Sequence, residues 1–137
     1  MTRFLLDTDV LSEPTKVNPD RRLLMMLSRE AHRSCTSAVV WTELLFGVGR
    51  LPAGRRRDRL HAYVSGLGRM YRALPFDAGA AEWLAMARVQ MEKRGIRRPK
   101  HDAMIAATAV SEGLVLVTRN AADFSDFPGL TVERWHS

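Results

Sequence analysis

The apolar residues of this chain fall into short runs that alternate with longer, periodic stretches. The runs at residues 4–6 and 114–117 are continuously apolar, which is typical of buried strands. In the longer stretches, apolar residues return every three or four positions, as they do on one face of a helix. The pattern predicts strands at 4–6, 34–38, 73–76, 114–117 and 131–133, and helices at 20–31, 39–47, 60–71, 78–93 and 101–111.

The order of these elements predicts the fold class. Short apolar strands separated by helices favour a parallel sheet that is covered by helices on both faces, hence an α/β fold. Ligands of such sheets bind beyond the carboxyl ends of the strands. Residues that directly follow a strand are therefore the first candidates for a functional site.

Composition adds limits to this picture. A length of 137 residues with 46% hydrophobic and 26% charged residues fits one globular domain, expected at 1–137. The single cysteine, Cys35, excludes an internal disulfide and a cysteine-based metal site. No apolar run approaches the ~18–20 residues that cross a bilayer, and the first residues do not resemble a signal peptide. We therefore expect a cytoplasmic protein. The formal charge of +6 weakly favours a polyanionic partner.

Four acidic residues occur where solvent-exposed acids are not expected. Asp7 ends the first strand, and Asp123 follows the strand at 114–117. Glu43 lies among apolar residues of a predicted helix. Asp102 begins another helix, where the spacing 102, 105, 106 and 109 directs it toward the sheet together with small apolar residues.

Each acid taken alone has an ordinary explanation. Asp7 and Asp123 suit turns, and Asp102 suits the positive end of a helix dipole. Glu43 is harder to explain, because glutamate is rarely buried without a partner. Together at one sheet edge, four carboxylates would repel one another. A hard divalent cation such as Mg²⁺ or Mn²⁺, which takes oxygen ligands, would remove that repulsion.

The residues around these acids resemble the motifs of PIN-domain ribonucleases, specifically the toxins of VapBC-type toxin–antitoxin pairs. The resemblance covers nearly the whole chain and implies a small three-layer α/β/α sandwich with a mainly parallel sheet of four to five strands. It also implies metal-assisted hydrolysis of RNA phosphodiester bonds. The matching motifs are LLDTDVLSE at 5–13, TE at 42–43 followed by Gly47, HDAMIAATA at 101–109, and LVTRN at 116–120 followed by Asp123 and Phe124.

The resemblance implies roles for the acids. Asp7, Glu43 and Asp102 match the first three acids of the family and are expected to bind Mg²⁺ or Mn²⁺. Asp7 and Asp102 would hold the ion directly. Glu43 would bind it through water or serve as the general base.

The fourth acidic position stays open. Asn120 stands where many relatives carry an acid, and Asp123 follows three residues later, so Asp123 is expected to supply the last catalytic acid or to lie farther from the ion. Asn120 and the hydroxyl of Thr118 would orient a water molecule or a phosphate.

The resemblance also implies partners: an RNA substrate, a cognate antitoxin protein, and a second copy of the chain in a homodimer and in toxin–antitoxin hetero-oligomers, with no role for a membrane. Arg97, Arg98 and Lys100 run directly into Asp102 and are expected to contact the RNA backbone. The arginines at 55–59 fit an RNA contact and a solvated helix face equally well.

Two other functions fit parts of the sequence. A PIN-fold module could bind RNA or an antitoxin without cutting, an alternative kept open by the uncertain fourth acid. The segment DTDVL at 7–11 also resembles the first motif of haloacid-dehalogenase-like phosphatases, but the later acid pair of those enzymes is missing. A receiver domain is disfavoured because no lysine follows Lys100.

Overall fold

A computed structural model describes residues 1–137 and contains a five-stranded, wholly parallel sheet. The sheet order is β3-β2-β1-β4-β5, so the first and fourth strands lie at its centre. The predicted α/β fold with a parallel sheet is confirmed, and every predicted strand is present, although most are shorter than expected. The strands are β1 (Phe4–Leu6), β2 (Ser34–Ser37), β3 (Ala73–Leu74), β4 (Val115–Val117) and β5 (Val132–Glu133).

Helices cover the sheet, and five of the six were predicted. The exception is α1, a four-residue helix in place of the turn expected after β1. It forms because the Asp7 side chain accepts a hydrogen bond from the Thr8 N–H and caps it. The helices are α1 (Thr8–Leu11), α2 (Arg21–Glu30), α3 (Ala38–Gly49), α4 (Arg55–Met70), α5 (Ala78–Lys93) and α6 (Lys100–Ser111).

The predicted helix boundaries at two acids are confirmed. Asp20 caps α2 by accepting a hydrogen bond from the Leu23 N–H, and Asp77 caps α5 by accepting one from the Ala80 N–H. At the other end of α5, Gly95 adopts φ of +71°, a left-handed conformation that stops the helix. None of the helices is both long and apolar enough to span a lipid bilayer.

The hydrophobic core lies on both sides of the two central strands. Leu5 and Leu6 of β1 and Leu116 of β4 have no exposed surface. Trp135 is buried and packs edge-on against Phe4, with 5.0 Å between the ring centroids. The other two tryptophans, Trp41 and Trp83, pack against this core.

The apolar segment at 23–27 gives one face of α2 to the core. Leu23 and Leu27 are buried, whereas Met25 is more than half exposed. Because the core covers one face of α2, only the other part of this apolar segment is available to a partner.

Strand pairing determines where the polar residues after the strands meet. Leu6 of β1 is opposite Val117 of β4, so Asp7 and Thr118 follow neighbouring strands at the same edge. The Asp7 N–H continues the ladder by donating to the Val117 carbonyl at 3.0 Å. This carboxyl edge of the central strands is where a site is expected.

Two glycines of α4 provide a test of the packing. A Cβ at Gly68 would lie 2.6 Å from Cη2 of Trp41, whereas a Cβ at Gly66 would have no heavy atom closer than 4.0 Å. We expect Gly68→Ala to lower the free energy of unfolding by about 1–3 kcal/mol, because the rigid indole ring must move. Gly66→Ala should raise it by about 0.5–1 kcal/mol through the higher helix propensity of alanine. Urea unfolding measures both, and equal effects of the two substitutions would contradict this packing.

Candidate active site

Four structural elements bring the predicted acids to one edge of the sheet. Asp7 follows β1, Glu43 lies within α3, and Asp102 is in the first turn of α6. Asp123 lies in a short 3-10 helix, Ala121–Phe124, that follows β4. The sequence therefore places all four acids around the carboxyl ends of the central strands, as predicted from the order of the elements.

Asp7 is the most enclosed of these acids, with 8% of its surface exposed. One carboxylate oxygen accepts the Thr8 N–H and the other accepts the Thr118 hydroxyl, both at 2.8 Å. Burial, followed by the charge of Asp9, raises the pKa of Asp7 from 3.8 to about 7, and Asp102 adds to this effect. A carboxylate that is this costly to ionise is typical of a functional site.

Asp9 is an acid of this cluster that the sequence analysis did not single out. Its carboxylate accepts the Asn120 side-chain amide at 2.7 Å and the Arg119 backbone N–H at 3.2 Å. Burial raises its pKa, and the hydrogen bonds from Arg119 and Thr118 oppose that rise. The only sequence evidence for this role was the position of Asp9 two residues after Asp7, because its partners lie 110 positions or more along the chain.

Glu43 is less buried than the apolar residues around it suggested. About 28% of its side chain is exposed, because it lies on the α3 face that looks toward α1 and α6 and not toward the sheet. The Thr8 hydroxyl donates to its carboxylate at 2.6 Å. His101, which is exposed, places Nδ1 3.3 Å from its other oxygen.

Asp102 receives the combined influence of its neighbours. Burial raises its pKa above the ordinary value, and the charges of Asp123 and Glu43 raise it further. His101 and Arg98 act in the opposite direction. Asp123 itself is exposed and makes no side-chain hydrogen bond to the other acids, so its effect on Asp102 is electrostatic.

Thr118 and Asn120 occupy the turn after β4. The buried Thr118 hydroxyl donates to Asp7 and accepts the Asn120 N–H at 3.1 Å. The Asn120 amide donates to Asp9. Thr118 and Asn120 are therefore hydrogen-bonded to Asp7 and Asp9, whereas Asp123 influences Asp102 through its charge.

A buried ion pair supports this turn from behind. Glu13 is 2% exposed and lies 3.2 Å from a guanidinium nitrogen of Arg119. It also accepts the Asp20 N–H and pairs with Lys16 at 2.9 Å. Although burial acts to raise the pKa of Glu13, the contacts with Asp20, Lys16 and Arg119 lower it overall. Glu13 appeared in the sequence only as the end of a motif.

The basic residues before α6 divide into two kinds. Arg98 donates from Nε to Asp126 at 2.8 Å and from Nη2 to the Ala122 carbonyl at 3.5 Å, so it braces the segment that carries Asp123. Arg97 and Lys100 are exposed and form no ion pair. Arg97 and Lys100 are therefore the two cations of residues 97–100 that no acidic side chain pairs with.

The chemistry of the cluster fits a hard divalent cation. All its charged oxygens are carboxylates. Burial raises the pKa of three of them, Asp7, Asp9 and Asp102, and the charges of neighbouring acids raise the pKa of Asp7 and Asp102 further. No three acidic or histidine side chains converge as the ligands of one ion would. Mg²⁺ is usually held by one or two carboxylates, with water and substrate phosphate completing its shell.

Comparison with known proteins agrees with this geometry. Residues 4–130 match the PIN domain family. The chain is 36% identical over 125 residues to the VapC ribonuclease Y4jK of Sinorhizobium fredii, covering 88% of this chain and 89% of that protein. It is 30% identical over 135 residues to the tRNA(fMet)-specific endonuclease VapC of Salmonella typhimurium, covering 98% and 99%.

Solved structures give the same result. A structure of FitAB bound to an IR36 DNA fragment superposes with a TM-score of 0.89 at 29% identity and covers 98% of this chain and 96% of that chain. DNA-bound VapBC from Salmonella typhimurium superposes with a TM-score of 0.85 at 28% identity and covers 98% and 99%.

The raised pKa of Asp7 makes the stability of the metal-free protein depend on pH. With a pKa of about 7 when folded and 3.8 when unfolded, the folded chain binds more protons between these values. Its contribution to stability is therefore complete below about pH 4 and is lost as pH rises through 7. We expect Asp7→Asn, which cannot ionise, to match wild type near pH 4 and to be more stable above pH 7, by at most about 4 kcal/mol.

Urea unfolding in EDTA across this pH range measures the difference. Asp58→Asn, at an exposed acid of α4, is the matched control and should show no such trend. A stability difference between Asp7→Asn and wild type that stays constant with pH would contradict the buried, uncompensated carboxylate.

We expect the hydrogen bond from Asn120 to Asp9 to hold the segment after β4 against the segment after β1. In a double-mutant cycle of Asp9→Ala and Asn120→Ala, the change in the free energy of unfolding of the double variant should differ from the sum of the two single changes by about 0.5–3 kcal/mol, because both single changes remove the same interaction. Additive effects in this double-mutant cycle would show that the amide does not bind Asp9. As a control, the effects of Asp9→Ala and Asp58→Ala should add, because no hydrogen bond joins these two residues.

Proposed function

This chain belongs to the PIN-domain family and, within it, to the VapC-type ribonucleases, and on that premise we propose that its acidic cluster hydrolyses RNA with Mg²⁺ or Mn²⁺. The protein is an endoribonuclease toxin. We take its substrate class to be RNA, which is what the names of both relatives indicate, with the particular RNA and cleavage site left to experiment.

The enclosed carboxylate of Asp7 carries this proposal. It lies at the carboxyl end of the central strand, is 8% exposed, and has Asp9 and Asp102 as charged neighbours. A folded chain gains nothing in stability from three acids so arranged, because their mutual repulsion opposes folding. These carboxylates would hold a divalent cation that relieves their repulsion and offers a positive charge to substrate phosphate.

The roles of the side chains follow from their contacts. A bound Mg²⁺ or Mn²⁺ ion supplies Lewis-acid activation of water and neutralises phosphate charge. Asp7, fixed by Thr118, and Asp102, on the rigid start of α6, would hold the ion. Glu43 would bind through water or accept a proton from the attacking water. The Thr8 hydroxyl fixes its orientation.

The remaining predicted residues fill supporting places. Asp123 would add negative charge beside Asp102 as the fourth acid of the cluster. Asn120, held by Asp9, would orient a water molecule or phosphate through the amide group it does not share. Arg97 and Lys100, with Arg98 where its pairing to Asp126 allows, would contact the RNA backbone through phosphate charge.

We also propose that the toxin is held by a cognate antitoxin in the cytoplasm and that it forms homodimers and larger hetero-oligomers. The similar structures FitAB and VapBC are complexes of two components bound to DNA. Leu45 and Phe46 form an exposed apolar pair on α3, available to such a partner.

An RNA-cleavage assay tests the catalytic site. In Mg²⁺ or Mn²⁺, antitoxin-free protein should cut RNA, and Asp7→Asn and Asp102→Asn should each reduce the rate by about a hundredfold or more, because each removes a charge that holds the ion. EDTA should abolish cleavage. Asp58→Asn, on the surface of α4, should cleave like wild type.

The contrary outcomes are specific. Cleavage that persists in both site variants would place catalysis elsewhere. Failure of the wild type to cut any RNA, together with Mg²⁺-dependent thermal stabilisation, would instead favour a binding module that keeps the fold and the ion site.

A further inference from the structure

A groove separate from the acidic cluster opens between α5 and α6. Its volume is about 580 Å³, compared with about 330 and 350 Å³ for two other cavities of the chain. It runs from Phe76, two residues before α5, along that helix and across the connection to the start of α6. Its walls are Phe76, Leu84, Arg88, Met91, Glu92, Ile96, Arg97, Arg98, Lys100, Ala103 and Met104.

The floor of the groove is apolar and partly open to solvent. Leu84, Met91 and Ala103 are buried beneath it. Phe76 and Met104 are only half-buried and present an aromatic ring and a thioether side chain to the open volume. A concave apolar floor of this kind is typical of sites that bind a flat organic group.

The rim of the groove is basic. Arg88, Arg97 and Lys100 are exposed and form no ion pair with any acidic side chain. Arg98 is already bound to Asp126, and Glu92 is the only acid in the wall. Three uncompensated cations around an apolar floor complement a ligand that has a flat, uncharged part and flanking negative charges.

The groove and the acidic cluster share the first turn of α6. Lys100, Ala103 and Met104 line the groove, whereas Asp102 of the same turn belongs to the acids. Residues three and four apart lie on one side of a helix, so position 102 faces away from 100, 103 and 104. A strand crossing the start of α6 would therefore pass directly from the groove to the acids.

We propose that this groove binds single-stranded RNA of the substrate next to the cleaved bond, with one unpaired base on the floor formed by Phe76 and Met104. The flanking phosphates would contact Arg97 and Lys100. Proteins bind unpaired RNA in this way, with bases stacked on aromatic or apolar side chains and cations along the backbone. The inference rests on the proposed ribonuclease function and adds where the substrate's bases bind.

Kinetics on a short unstructured RNA of mixed sequence in Mg²⁺ tests the groove. Phe76→Leu keeps an apolar side chain but removes the ring, so KM should rise by about tenfold with a much smaller change in kcat and the same salt dependence. Lys100→Ala and Arg97→Ala should also raise KM, and each should reduce the slope of log affinity against log salt by about one, because one phosphate contact is lost.

Matched controls lie outside the groove. Arg69→Ala removes an exposed cation of α4, and Met86→Ala removes an exposed apolar side chain of α5. Both should leave KM and the salt slope at wild-type values. Because Arg97 and Lys100 are exposed, their variants keep the test valid if Phe76→Leu does not fold.

The outcomes separate this inference from the function it rests on. Cleavage by wild type with unchanged KM in all three groove variants would overturn the RNA groove and leave the ribonuclease standing. An unchanged KM combined with conversion of a dimer to a monomer, measured by light scattering, would overturn it in favour of a second copy of the chain. Absence of cleavage by wild type would overturn the ribonuclease and this groove together.

Discussion

The carboxylate of Asp7 is buried where the two central strands end, and the rest of the site is organised around this charge. Thr8 and Thr118 donate to its two oxygens, one from the start of α1 and one from the end of β4. Asp9 and Asp102 act against them by raising its pKa. The fold tolerates this because the sheet edge is fixed by a large apolar core, whose stability offsets the local repulsion. The cluster therefore opposes folding for as long as its neighbouring carboxylates are charged and uncompensated.

Much of this arrangement could be predicted from the sequence, for a simple reason. Short apolar runs mark the strands, and in a parallel sheet the residues that follow them must meet at one edge. Asp7 was found by that rule, and Thr118 was named through the resemblance to PIN-domain motifs. The burial of Glu43 was overestimated, because apolar neighbours in sequence do not reveal which helix face a side chain occupies. Its partners, Thr8 and His101, come from two other helices.

Asp9 and Glu13 show where prediction from one sequence ends. Both look like ordinary polar residues of a segment after a strand. Their importance arises from the turn at Thr118–Asn120, which is more than a hundred positions away. Asp9 holds the amide of Asn120, and Glu13 pairs with the side chain of Arg119, so two acids secure the same turn from opposite sides. Contacts between residues so far apart in sequence depend on how the helices pack on the sheet. The hydrophobic periodicity of a single segment does not predict that packing.

The pairing of the first strand with the fourth has a consequence for how the protein is made. The hydrogen bond between Asp7 and Thr118 joins residues separated by 111 positions, so it cannot form until nearly the whole chain has left the ribosome. Closing a loop of that length is a late and slow step in folding. A chain synthesised only as far as β4 therefore contains Asp7 and Glu43 but lacks the turn that fixes the Asp7 carboxylate. The enclosed environment of Asp7 is thus assembled only after residue 118 has been made and β4 has paired with β1.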